Sequence, residues 1–591
     1  MVDLRAKPYH LQDADIQWVQ QTIAGMSKEE KVGQLFFQLT AGIGEDYLKE
    51  LMEKYHLGGC RYNKMPGIAV QNQNRILQKY AKVPVFIACN TENGGGGACA
   101  NGTYIGSGIK IGATGKAAHA FELGKYANTE AKALGCNMAF SPVCDIHYNW
   151  QNQEVINRAF GNDVDRVAEM SKAYMDGLHT IEGFSCVAKH FPGNGLDFRD
   201  AHLSNNINDF DEETWMNTYG KVYRTLIDGG LDGVMGGHIM MPTYMRENYP
   251  DIKDEEMLPA TLCKEIMTGL LRDKLGFNGI VVTDASHMAA MTNRMTRKEM
   301  LPKCINAGCD MFLFFNDPEE DFATMLEAYE QGIISEARME EALSRILGLK
   351  AKLGLHKQPL EELVPAPEAM SVIGAAEHKA AAQEISEDAI TLVKYLDEGV
   401  LPITPEKYKR IMIVDIKGDP SPMEFMMKAI MAQQGIVKKT PAEDLRDRLI
   451  EKGFDAFIYV SPLDKMKEQV ERGEKPNMNL YFAGKNAIAD FTAGQDLVIS
   501  LCNVVNGRPS FGLSKGGGEL PWYVFELPVI GISVNMPTML ADLPMLRTYI
   551  NAYDAEACTM EKLVDKLLEG PQAFKGKDPI DSYCGLFDAR I

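Results

Sequence analysis

The chain has 591 residues, of which 45% are hydrophobic and 24% charged, and its formal net charge is −20 at pH 7. That length exceeds one ordinary core and predicts two folded domains. The acidic balance argues against nucleic acid or an anionic membrane as partner, and no apolar run is long enough for a transmembrane helix.

The N-terminus, MVDLRAKPYHLQDADIQ, holds no apolar run suited to a signal peptide. The twelve cysteines are scattered without CxxC pairs. Cys136, Cys144, Cys186 and Cys502 lie in apolar stretches, where a thiol behaves as a small hydrophobe. A reducing, cytoplasmic location is therefore expected. Neither Cys nor His spacing matches a zinc pattern, and no metal or other cofactor is expected.

Along the first 350 residues, short apolar runs alternate with longer amphipathic ones. The runs start at Val32 (VGQLFFQL), Gly58 (GGCRYN), Val83 (VPVFIACN), Met138 (MAFSPVCDI), Ser185 (SCVAKHF), Gly233 (GVMGGHIMMP), Gly279 (GIVVTDA) and Cys309 (CDMFLFF). Several lack clean alternation, as expected of parallel strands buried on both faces. Helical patterns separate most of them, for example AAHAFELGKYANTEAKALG from Ala117 and DVDRVAEMSKAYMDGLHTIEG from Asp163. Eight strand–helix units predict an α/β fold with a TIM-type (β/α)8 barrel over residues 1–357. The second run is the weakest, which leaves room for an irregular barrel. The helical pattern from Ser335 closes the region.

Residues 358–372 lie in a stretch with three prolines and little periodicity, and read as a linker. A helix follows, and then strand runs from Ala389, Arg410, Phe454, Asp496 and Leu527. Residues 373–591 are accordingly expected to form an α/β sandwich.

In barrel enzymes the working residues sit where strands end and the next loops begin. Asp284 ends the seventh run, where it serves either as a carboxylate in the barrel mouth or as a helix N-cap before ASHMAAM. Lys189 and His190 end the fifth run, a pair suited to sugar hydroxyls or a phosphate. The loop FPGNGLDFRDAH then brings Asp200 and His202 two residues apart. In an extended segment they point to opposite faces, so a direct contact requires a turn. A solvated surface loop remains the alternative there.

Asp145 and His147 end the fourth run, and Arg158 follows in NQEVINRAFGND between apolar neighbours. His238 ends the sixth run, where a hydrogen-bonded core histidine is the alternative to a functional one. Asn90 and Glu92 open a glycine-rich segment after the third run. That segment lacks the GKS or GKT ending of a phosphate loop and does not match GxGxxG before a helix.

These segments together resemble glycoside hydrolase family 3, in its β-N-acetylglucosaminidase branch. KHFPGNGLDFRDAH is similar to that branch's KHFPGHG…DSH loop, with Asn194 in place of a histidine and Ala201 in place of a serine. LGFNGIVVTDA resembles the nucleophile strand, INRAFGND the segment with a substrate-binding arginine, and VMGGHIMMP the sixth-strand motif. The resemblance implies a retaining, exo-acting β-N-acetylhexosaminidase acting on small carbohydrates. Asp284 is then the nucleophile, His202 the acid/base and Asp200 its orienting carboxylate. Arg158, Lys189, His190, Asn90, Glu92, Asp145 and His238 are carried over as sugar-binding residues.

One departure concerns the branch's Asp-x-Glu-Gly-Gly-Arg segment, here NTENGGGG. The aspartate is Asn90 and the arginine is missing, which bears on sugar identity rather than on the chemistry. Within the family, β-glucosidase or β-xylosidase activity and phosphorolysis are the alternatives. Outside enzymology, the alternative is an inactive sugar-binding protein. Self-association into a homo-oligomer stays open.

Overall fold

The computed structural model describes every residue except 1, 41–43, 419–438, 461, 476–487 and 506–519. It divides into two compact units, one made of Met1–Gly108 with Lys116–Ala382, the other of Ile109–Gly115 with Gln383–Ile591.

The first unit is a closed, all-parallel eight-stranded barrel. Its strands are β1 (Phe36–Thr40), β2 (Gly59–Tyr62), β3 (Phe86–Cys89), β4 (Met138–Ala139), β5 (Ser185–Phe191), β6 (Gly233–Gly236), β7 (Ile280–Ala285) and β8 (Met311–Leu313). Each expected run supplies one barrel strand, and the run from Gly233 also supplies the short strand Ile239–Met240, which pairs with Asn206–Ile207 outside the barrel. The run from Val32 is split, however, because Ser27 and Glu30 form a capping box that starts a helix over Lys28–Gln34. The second run is a full member of the barrel, paired with β1 over four residues and with β3 over three. Its sparse look has a packing cause: a Cβ on Gly59 would lie 2.4 Å from the Phe37 ring. The ring fills the space that a side chain would otherwise take. Around it, Phe37 packs on Phe86 and Phe140 with ring centroids 6.3 and 5.6 Å apart.

Buried charge secures the N-terminal end of the barrel. Asp310, just before β8, accepts from Arg272 at 2.8 Å, Arg338 at 2.9 Å, Arg345 at 3.3 Å and the Val281 N–H at 2.9 Å. Asp232, just before β6, accepts from the Cys186 N–H at 3.0 Å and is paired with His179 and Lys352. These carboxylates tie strands to helices at the end opposite the functional mouth.

The second unit carries a six-stranded sheet. Its strands are β9 (Thr391–Tyr395), β10 (Arg410–Lys417), β11 (Asp455–Ile458), β12 (Leu497–Asn503), β13 (Val529–Ser533) and β14 (Thr548–Asn551), in the order β9-β14-β13-β12-β10-β11. All neighbours are parallel except β9 and β14. β14 was not among the expected strands; its four residues, TYIN, carry no alternation that marks a strand. Ile411, Ile413, Ile499 and Ile532 of the sheet share a buried cluster with Leu445, Leu449, Leu563 and Leu567 from helices, an α/β sandwich core. Ile109–Gly115 joins this unit because buried Lys110 pairs with Asp554 at 2.8 Å and donates to Thr559 Oγ1 at 2.7 Å.

Candidate active site

All eight barrel strands run the same way, so their C-terminal ends open onto one mouth. Asp284 is the penultimate residue of β7. One carboxylate oxygen accepts the Ala285 N–H at 2.7 Å, and the other lies 3.9 Å from His190 Nε2. The helix that follows begins at Ala289 with Met288 as its cap, so Asp284 is not an N-cap. Burial works to raise its proton affinity, but His190, His238, the Ala285 N–H and Lys189 outweigh it. The carboxyl is held below the ordinary range and stays ionised at neutral pH.

His190 is oriented from behind. Asp145, fully buried, accepts the His190 ring Nδ1–H at 2.7 Å with one oxygen, and the backbone N–H groups of His190 and Asn194 at 3.1 and 2.8 Å with the other. Both Asp145 oxygens are thus used by protein donors. The Nε2 of His190 faces the mouth, 3.4 Å from Arg158 Nη2.

Arg158 and Lys189 converge on Glu92. The guanidinium donates to both Glu92 oxygens, at 2.8 and 3.0 Å, and Lys189 Nζ stands 2.6 Å from one of them. Burial opposes all three charges. The two cations nonetheless hold the Glu92 carboxyl well below the usual range, and Glu92 in turn raises the Arg158 pKa. Asn90 lies beside this group at the end of β3, and its Oδ1 is buried without a hydrogen-bond partner among the described residues.

His238 uses both ring nitrogens within the protein. Nδ1 pairs with Thr261 Oγ1 at 2.8 Å and Nε2 with the Ala285 carbonyl at 3.1 Å. Burial lowers its pKa, so a neutral ring braces the end of β7. His147 is buried as well, and burial pushes its pKa down to about 4.

The loop after β5 supplies the rest. It leaves the strand through Gly193 and Gly195, with φ of 120° and 104°. A side chain at either would be strained, and a Cβ would also lie 2.1 Å from the Tyr219 ring or 2.0 Å from the Ile146 carbonyl. Asn194, between them, accepts from the Asn152 amide at 3.2 Å and donates to Glu154 at 2.8 Å. The departure from histidine at 194 thus puts a short amide where it links neighbouring loops.

Residues 201–203 form a turn. The turn lets Asp200 Oδ1 accept both the His202 backbone N–H, at 2.8 Å, and its Nδ1–H, at 2.7 Å. The carbonyls of Ala201 and His202 accept the N–H groups of Ala290 and Ala289, so the loop is fastened to the segment that follows Asp284. The Asp200 bond raises the His202 pKa against burial, and the charges of Glu154, Asp200 and Asp284 add to the rise.

The structure thus gathers Asp284, His190, Lys189, Arg158 and Glu92 at the mouth, with Asp200 and His202 on the loop fastened beside Asp284 and with Asp145 and His238 acting behind the others. Two residues were missed. Arg61, at the end of β2, lies in the field of Glu92 and Asp284. Glu154, in the loop after β4, places one oxygen within 4.8 Å of His190 and Asp284, and likewise of Asp200 and His202. Arg61 lies within the run from Gly58 and Glu154 within the segment that carries Arg158, but neither stands at a motif position that sets it apart.

A (β/α)8 barrel with an ionised carboxylate, a carboxylate–histidine pair and a cationic cluster at its C-terminal mouth belongs to the barrel proteins equipped for acid–base chemistry on polar ligands. Residues 27–349 match the family model described as the glycosyl hydrolase family 3 N terminal domain, and the chain belongs to that family. It is 36% identical over 600 residues, spanning 100% of both chains, to the β-N-acetylglucosaminidase/β-glucosidase of Cellulomonas fimi. Among solved structures, β-glucoside phosphorylase BglX is 34% identical with a TM-score of 0.87, covering 99% of each chain. A family 3 β-N-acetylglucosaminidase from Paenibacillus sp. str. FPU-7 shares the fold, with a TM-score of 0.75 at 23% identity, covering 95% of this chain and 100% of that one.

Proposed function

We propose that the protein is a retaining, exo-acting β-N-acetylhexosaminidase of the β-N-acetylglucosaminidase kind. Asp284 attacks the anomeric carbon while His202, as imidazolium, gives its Nε2 proton to the departing glycosidic oxygen. The glycosyl group is then an ester of Asp284. Neutral His202 next takes a proton from water, the water oxygen attacks the anomeric carbon, and Asp284 leaves as carboxylate. Asp200 orients the imidazole and stabilises its charged form. Arg158, Lys189 and His190 hold the sugar, with Glu92 fixing the two cations and Asn90 Oδ1 accepting from an outer hydroxyl.

The observation that carries this reading is the Asp200–His202 hydrogen bond of 2.7 Å, on a loop tied to the segment that follows Asp284. It supports a histidine acid/base in place of the second carboxylate of most retaining glycosidases. The Cellulomonas fimi relative, named as acting on both β-N-acetylglucosaminides and β-glucosides, supports the substrate class. All twelve cysteines are free thiols, which suits the cytoplasm.

The test is a screen of aryl β-glycosides of GlcNAc, GalNAc, glucose and xylose, with Asp284→Ala as control. GlcNAc release should dominate and vanish in the variant; retained activity in Asp284→Ala would refute the nucleophile. Phosphorolysis is the second reading, favoured by the 34% identity to a β-glucoside phosphorylase. A neutral imidazole does not repel phosphate as a carboxylate does. Sugar 1-phosphate as the main product in phosphate buffer would select it.

A further inference from the structure

Glu154 sits four residues before Arg158 in the loop after β4, outside the residues assigned above to the reaction. Its Oε2 accepts the Asn194 side-chain amide at 2.8 Å and the Ala201 backbone N–H at 3.3 Å. Asn194 lies in the turn that opens the loop after β5, and Ala201 lies between Asp200 and His202 at its far end. One carboxylate therefore ties both ends of the loop that carries His202. The same carboxylate stands within 4.8 Å of a His202 ring nitrogen and an Asp200 oxygen, and within 4.8 Å of an Asp284 oxygen. It lies at the point where the two halves of the site meet.

We infer that Glu154 is a positioning residue of the acid/base: its hydrogen bonds hold the His202 loop against the mouth, and its negative charge helps keep the proton on His202. The inference rests on the reading of His202 as acid/base. The groups that face His202 are Asp200 on its own loop, Glu154 from the loop after β4, Asp284 from β7 and His238 from the loop after β6, while Arg158 acts on Asp200. Among the three carboxylates, Glu154 is the one that also bonds the loop from another part of the barrel. Hydrogen bonding to Asp200, opposed by burial and aided by the Glu154 charge, raises the His202 pKa, in keeping with this arrangement.

The experiment compares pH profiles of kcat and KM for the unmodified protein, Glu154→Gln, Glu154→Ala and His202→Ala. Each is measured on an activated aryl β-N-acetylglucosaminide and on an alkyl one with a poor leaving group. Glu154→Gln keeps an acceptor oxygen and removes the charge. Its alkaline limb should move to lower pH by roughly half a unit, the effect of one charge at this distance in a water-like dielectric, with KM unchanged. Glu154→Ala also frees the loop. It should lose on the order of tenfold more kcat on the alkyl than on the aryl glycoside, because only the alkyl substrate needs the proton.

An unmoved limb in Glu154→Gln, or equal losses on both substrates in Glu154→Ala, overturns the inference. His202→Ala separates the two levels of the argument. If the alkaline limb persists there, the acid/base reading itself falls. If the limb is lost there but unmoved in Glu154→Gln, Glu154 alone is excluded. Should Glu154→Ala not fold, the near-isosteric Glu154→Gln still decides the matter.

Discussion

Replacing Asp200 by Asn retains an acceptor for the His202 Nδ1–H and removes the charge beside it. A hydrogen bond to a charged group contributes about 1.5–3 kcal/mol in a protected setting. Here the imidazole side chain is 51% exposed and the carboxylate 25%, and screening by solvent reduces the figure to about 1 kcal/mol. That equals roughly 0.7 of a pH unit at about 1.36 kcal/mol per unit. The sign follows from which form is stabilised. Asp200 raises the His202 pKa, so acid catalysis survives to higher pH with the carboxylate than without it. In Asp200→Asn the alkaline limb of kcat/KM should fall by roughly that amount, read on an alkyl β-N-acetylglucosaminide. Asp200→Ala removes the orienting contact too, and should lower kcat on the alkyl substrate about 100-fold while sparing activated aryl glycosides. An unshifted limb in the Asn variant, or equal losses on both substrates in the Ala variant, refutes the pairing of Asp200 with His202 as acid and orienter.

Two further outcomes test the frame around the site. Asp310→Ala leaves Arg272, Arg338 and Arg345 without their shared carboxylate and should cost about 3–5 kcal/mol of stability in chemical denaturation. Its three cations and the Val281 N–H overcome burial and lower the Asp310 pKa. In the unmodified protein this contribution is therefore complete above the unfolded-chain value of about 3.9 and is lost as pH falls through the lower folded value; an equally acid-sensitive Asp310→Ala counts against it. Asn194→Ala removes the amide that joins Asn152, Glu154 and Gly195. It should lower kcat on the alkyl substrate by roughly tenfold with little change in KM; a pure KM effect would instead place Asn194 among the sugar contacts.

What the sequence made legible follows from how far each feature depends on distant residues. Parallel strands buried on both faces leave largely apolar runs, which marked the barrel strands; β2 was the weak one, because GCRY gives up side-chain volume to the Phe37 ring. β14 bore no such mark, because TYIN is short and owes its place to β9 and β13 rather than to its own pattern. The strand-end rule found Asp284, Lys189 and His190, since barrel geometry alone puts such residues at the mouth. It could not separate a residue that faces the mouth from one that braces it. Asp145 and His238 obey the same rule, yet their polar atoms are engaged by His190, Asn194, Thr261 and Ala285.

The Asp200–His202 contact hinged on local geometry, a turn in place of an extended segment, and two residues of separation left both open. Glu154 was harder still. Its partner Asn194 is 40 residues away, and it lies in an irregular loop whose course is set by hydrogen bonds rather than by periodicity. Nothing at position 154 itself distinguishes it from a solvated surface glutamate. A carboxylate that acts through a neighbouring loop becomes visible only when both loops are folded, and residues of that kind are the ones sequence reasoning misses at barrel mouths.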